Sequence, residues 1–122
     1  MKIAMLTCLN SNTVCTGAAC LRAFNERIRS FSRYKGRNDI ELAAFMKCNG
    51  CKTSGIPEEG RIYADERLEN GIQEKILRLS QEGIEAVHLG LCTKKKDIMC
   101  PVIEKISEEI EKNGIQVIFG TH

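Results

Sequence analysis

The chain has 122 residues, 43% hydrophobic and 28% charged, a size and balance that suit one soluble domain spanning 1–122. Its net charge is only +2, its aromatics are 5% and tryptophan is absent, which excludes the broad basic, aromatic-laced face of a nucleic-acid reader. No apolar run reaches the roughly 18 residues of a membrane span, and the N-terminus lacks the long apolar core of a signal peptide. The expectation is a cytoplasmic protein with neither membrane nor nucleic acid as partner.

Apolar patterning alternates strand and helix along the chain. Lys2–Cys8 is a near-continuous apolar run, as in strands buried on both faces of a parallel sheet. Val14–Arg33 is predicted as a helix capped by Thr16, with Leu21, Phe24, Ile28 and Phe31 at helical spacing. Ile40–Met46 is the second strand, and Cys48–Gly60 reads as a loop. Glu66–Glu82 follows as a helix with Leu68, Ile72, Ile76 and Leu79 inward and Gly83 as its stop. Gly71 inside it costs about 1 kcal/mol relative to alanine. Ile84–Leu91 is the third strand and Cys92–Cys100 a loop. Pro101 opens a third helix, Val102–Asn113, and Ile115–Phe119 is the fourth strand. This alternation predicts an α/β domain: one parallel sheet of about four strands in the order 2-1-3-4, helices on both faces, flavodoxin-like.

The seven cysteines stand out: Cys8, Cys15, Cys20, Cys48, Cys51, Cys92 and Cys100. An odd number in an intracellular chain points to metal binding or redox chemistry rather than a disulfide framework. On the predicted scheme Cys8, Cys48, Cys51 and Cys92 follow strand ends. Cys15, Cys20 and Cys100 lie at helix starts, and His122 follows the last strand. In a parallel sheet all these places fall on the carboxyl edge, where open α/β sheets bind ligands. Helix starts also favour thiolates, so Cys15, Cys20 and Cys100 are candidates for lowered pKa values.

Cys48-Asn49-Gly50-Cys51 is a CxxC pair. Its two-residue spacing lets both sulfurs face one ion, and the loop-like sequence after it favours metal over a thioredoxin-type dithiol. With Cys92 and Cys100 it completes four sulfurs, enough for zinc or an iron–sulfur cluster. Cys20 reads equally well as core filler, and His88, between Val87 and Leu89, as a satisfied core histidine. Lys94-Lys95-Lys96 reads as a solvated loop. A phosphatase cradle needs arginine six residues after its cysteine, but Val14 follows Cys8 at that distance and Leu21 follows Cys15. No glycine-rich dinucleotide fingerprint follows strand one.

The motifs together resemble the CGGC domain family, small bacterial and archaeal proteins to which metal binding is ascribed. The resemblance spans the chain: Cys8 ending strand one, Cys15-Thr16-Gly17 and Cys20 leading into Leu21-Arg22-Ala23-Phe24, Cys48-Asn49-Gly50-Cys51, Cys92, Cys100-Pro101 and Gly120-Thr121-His122. Asn49 stands where the family name implies glycine, which keeps the sulfur spacing but alters the loop. The resemblance implies Cys8, Cys15, Cys20, Cys48, Cys51, Cys92, Cys100 and His122 as metal-site residues, with zinc or an iron–sulfur cluster as cofactor. It supplies no reaction. The alternative is a thiol/disulfide redox enzyme or sensor working through Cys48 and Cys51.

Overall fold

The computed structural model describes residues 1–11, 13–51 and 55–121. Its strands are β1 Lys2–Thr7, β2 Glu41–Lys47, β3 Ile84–Leu89, the short β4 Lys94–Lys95 and β5 Ile98–Met99, and β6 Gln116–Ile118. Its α-helices are α1 Ala18–Glu26, α2 Glu66–Gln81 and α3 Pro101–Lys112. The main sheet runs β2-β1-β3-β6, parallel throughout, which is the expected order with β6 as the fourth strand. Helices cover both faces, as parallel strands require.

Strand β1 lies at the centre of the sheet, and Ile3 to Leu6 are fully buried there. Its even residues Ala4 and Leu6 pack with Ile72, Ile76 and Ile103 of α2 and α3. Its odd residues Ile3 and Met5 pack with Cys20 and Ala23 of α1 and with Phe31. Asp65 caps α2, its carboxylate accepting from the amides of Arg67 (2.9 Å) and Leu68 (3.3 Å). Pro101 opens α3, where its missing N–H goes unused. Among the described residues no helix is long and apolar enough to cross a membrane.

Three local expectations are corrected. The single helix over 14–33 is two pieces, α1 and a 3-10 helix over Arg29–Tyr34. Arg27 and Arg29 between them take left-handed backbone conformations, each at φ 56°. The Arg27 and Ile28 amides donate back to Phe24 and Ala23 carbonyls, which closes α1 early. The buried face of α1 is therefore Cys20 and Ala23, while Leu21 and Ile28 are exposed. Gly17 rather than Thr16 is the N-cap, although the Thr16 hydroxyl accepts from the Ala18 amide (3.3 Å). Finally, the 92–100 loop contains a hairpin, β4 against β5, turned by Lys96 (φ 51°) and Asp97 (φ 64°). Two left-handed residues match the twist a two-residue hairpin needs.

His88 in β3 is a fully buried histidine satisfied on both sides, as its apolar neighbours predicted. Ser30 Oγ and Tyr34 OH hydrogen-bond its Nδ1 and Nε2, each at 2.8 Å. Phe31 stacks on the ring at 4.3 Å. The neutral ring offers one donor and one acceptor to two hydroxyls, and charging it leaves no acceptor. Burial first, and then Arg33, lowers its pKa to about 4.

A folded-state pKa below the unfolded one means that the unfolded chain takes up the proton first. Unfolding free energy should therefore fall as pH drops from about 6.5 to 4, by up to about 3 kcal/mol from this residue. Urea titrations across that range check it. A His88→Phe variant should show a shallower acid slope.

Candidate functional site

The carboxyl edge of the sheet is built by ladder register. Thr7 of β1 pairs with Lys47 of β2, and Leu6 pairs with Leu89 of β3. The ladder then continues one step on each side: the Cys48 amide donates to Thr7 O (3.1 Å) and the Gly90 amide to Leu6 O (2.9 Å). Three strands thus end side by side, and each is followed at once by a cysteine or by Gly90 and the segment carrying Cys92. Gly90 has no side chain to spare here. A Cβ would lie 3.1 Å from Thr7 Cγ2 and 3.3 Å from Cys92 Sγ.

The turn after β1 supplies amides to the neighbouring sulfurs. Cys8 N–H donates to Cys92 Sγ (3.2 Å) and Leu9 N–H to Cys48 Sγ (3.3 Å). The Asn10 side-chain amide donates to Cys51 Sγ (3.2 Å). Such bonds stabilise a thiolate and tune a sulfur-bound metal. Cys100, the N-cap of α3, is held by its amide on Thr93 O (2.9 Å).

Cys8, Cys51, Cys92 and Cys100 line one cavity of about 790 Å³ with Asn10, Lys94, Lys95 and Lys96. Cys48 is buried at the sheet edge, near enough to Cys8 and Cys100 that their charges would raise its pKa further. Cys92 also neighbours Cys15 and Cys20 electrostatically. The cysteines therefore form two groups, one facing the cavity and one toward α1, with Cys92 common to both.

Burial is the main influence on these thiols. It raises the pKa values of Cys48, Cys92 and Cys20 above the ordinary thiol value, the amide bonds to Cys48 and Cys92 offsetting part of the effect. For Cys20 this reverses the expectation from its helix start. Its sulfur sits beneath α1, 3.8 Å from Thr121 Oγ. Cys15 is exposed and accepts from the Gly17 amide (3.4 Å). His122 lies outside the described residues.

Thiol donors, amide bonds to sulfur and a cationic rim suit a soft metal or a cluster in chemistry. Among the described residues no three Cys, His, Asp or Glu side chains stand together as a metal-holding group. The cysteines share one rim, and closing on one ion would take rotation of their side chains.

A polar buttress that forms no sequence motif holds the CxxC loop. Glu69 is buried on the inner face of α2, and its carboxylate accepts from the Ile62 and Tyr63 amides. Tyr63 OH in turn accepts from the Asn49 amide (2.9 Å). The Asn49 side chain donates to Leu68 O (3.1 Å) and accepts from Lys75 Nζ (2.6 Å), which also reaches Lys47 O (2.8 Å). Glu69 left little signal in the sequence, because Asp65, Glu66, Asn70 and Gln73 around it on the helix are polar as well. The lysines of 94–96 are exposed, as expected, but they line the thiol cavity rather than a featureless loop.

Fold and site define a parallel α/β protein with a cysteine-lined carboxyl edge. The model of the CGGC domain family matches residues 2–122, and the chain belongs to that family. It is also 32% identical to an uncharacterized protein of Methanocaldococcus jannaschii, over all of this chain and 87% of the relative. No solved structure matches it.

Asn49 also explains Gly71. A Cβ on Gly71 would lie 3.0 Å from Asn49 Nδ2, which its hydrogen bonds hold in place. Gly71→Ala should therefore fail to stabilise the wild-type protein. In an Asn49→Gly background it should add about 1 kcal/mol of helix propensity. A double-mutant cycle by urea unfolding checks the coupling.

Proposed function

We propose that this protein binds a soft metal centre, zinc or an iron–sulfur cluster, through the thiolates of Cys8, Cys51, Cys92 and Cys100. The observation that carries the reading is that four cysteines from three separate chain segments, after β1, after β2 and between β3 and α3, line one cavity. Cys48 is a fifth donor from the sheet edge. Amide bonds from Cys8 and Leu9 would hold negative charge on the neighbouring sulfurs, and Lys94, Lys95 and Lys96 would offset the charge of several thiolates. When bound, zinc would supply structural cross-linking or Lewis acidity, and a cluster would supply electron transfer. Cys15 and Cys20 belong to the second thiol group and are not assigned to this centre. A reducing compartment, the cytoplasm, keeps such thiols available.

The alternative reading is a Cys48–Cys51 dithiol. Cys51 is exposed and accepts from the Asn10 side-chain amide. Cys48 is only 3% exposed, and its raised pKa disfavours it as an attacking thiolate at neutral pH. The metal reading is therefore preferred.

Metal and acid-labile sulfide should be measured on protein purified anaerobically without chelator. Iron with sulfide, or zinc without it, is the expected result. Cys92→Ser and Cys100→Ser should each weaken retention by at least about tenfold, while Cys15→Ser should not. Metal-free wild type with a reversible Cys48–Cys51 disulfide would transfer the function to the dithiol.

A further inference from the structure

Part of the thiol cavity's wall is not sulfur. It is the hairpin of β4 and β5, a two-stranded sheet separate from the main one. Ladder pairing sorts the side chains of this hairpin: Lys95 pairs with Ile98, and Lys94 with Met99. Residues paired across an antiparallel ladder share a face, and successive residues alternate faces. Lys95 and Ile98 therefore stand side by side on one face, with Lys94 and Met99 on the other.

The thiol cavity takes the Lys95–Ile98 face. Both residues line it, and neither lines the neighbouring hollow of about 420 Å³ bordered by Asp97, Glu104 and Phe119. Lys94 and Met99 border both spaces, and the Lys94 ammonium lies over the Phe119 ring, 5.5 Å from its centre.

Charge is sorted in the same way at the hairpin tip. Lys96 (φ 51°) and Asp97 (φ 64°) both hold left-handed backbone, without the glycine that such a turn favours. This turn sets Lys96 in the wall of the thiol cavity and Asp97 in that of the other hollow. No Asp or Glu lines the thiol cavity. Left-handed conformations of residues with side chains are costly and gather where a site uses them.

The wall also has an apolar surface beside these cations. Ile98 is 72% exposed, and Met99 lies next to it. A cavity of about 790 Å³ is far larger than one metal ion fills. It falls in the range of small-molecule sites, roughly 300–1,000 Å³, which combine apolar walls with a few placed polar groups.

We propose that the thiol cavity binds a small organic anion with an apolar body. The anionic group meets the ammonium groups of Lys95 and Lys96, and the apolar part lies over Ile98 and Met99. The ligand shares the cavity with the proposed metal centre but needs no metal for these contacts.

The test is a fluorescence titration of the full chain, its metal content measured, with anilinonaphthalene sulfonate, an aromatic anion that brightens in apolar surroundings. Uncharged phenylnaphthylamine is the control. One saturable sulfonate site per chain is expected, with a dissociation constant of about 10–100 μM. The uncharged analogue should bind at least about tenfold more weakly. Lys95→Gln combined with Lys96→Gln should weaken sulfonate binding about tenfold, and Ile98→Ser about fivefold. All three side chains are exposed, so these variants should keep the urea midpoint of the wild type. Lys112→Gln, at the other end of α3, should bind as the wild type does. Absence of a saturable site, equal binding of the uncharged analogue, or binding unchanged in both cavity variants would overturn the proposal. Metal-bearing protein without the sulfonate site would sink this inference and leave the metal centre standing. Metal-free protein that binds the sulfonate as expected would do the reverse.

Discussion

Everything at the functional edge depends on the register of β1 between β2 and β3. Parallel ladders on both sides run one residue past the strand, to the Cys48 amide on Thr7 and the Gly90 amide on Leu6. A parallel sheet stops its strands at a common edge. Here the common edge falls where the chain carries Cys8, Cys48 and, through the compact turn at Gly90, Cys92. A slip of one residue would turn Ile3 and Met5 toward α2 and α3 and break both cores, so burial on both faces fixes the register. Core packing thereby sets the placement of the sulfurs.

The same strand end divides the edge into two chemical environments. On one side are thiols, backbone amides aimed at sulfur, and lysines. On the other are a buried hydroxyl, a lysine and a helix amino end. Thr7 and Cys8 are consecutive residues of one strand end, and each lines a different cavity. The CxxC loop is braced through its own Asn49, which Tyr63 and, from α2, Leu68 and Lys75 hold, while Glu69 of α2 holds Tyr63. Asn49 in place of glycine is therefore part of a bracing network, and Gly71 is the space that network occupies.

The sheet order and the edge location of the cysteines were legible in the sequence because both follow from alternation of buried strands and amphipathic helices. The satisfied core role of His88 was legible too, from its apolar neighbours. The break at Arg27 was not, because an arginine in left-handed backbone leaves no mark in hydrophobic spacing. Hence Leu21 and Ile28 passed for core while Cys20 and Ala23 were the buried face. Cys20 shows the limit of arguing acidity from a helix start: burial outweighs the dipole and raises its pKa. The meeting of Thr7 and Lys47 was invisible because it depends on ladder pairing across 39 intervening residues.

The central claim is that sulfurs from separate strand ends and a helix start serve one centre. X-ray absorption at the metal edge, on anaerobic protein carrying one equivalent of zinc or its native metal, addresses that directly. A shell of sulfur neighbours at about 2.3 Å is the expected result. A shell of nitrogen and oxygen at about 2.0–2.1 Å, with at most one sulfur, would contradict it.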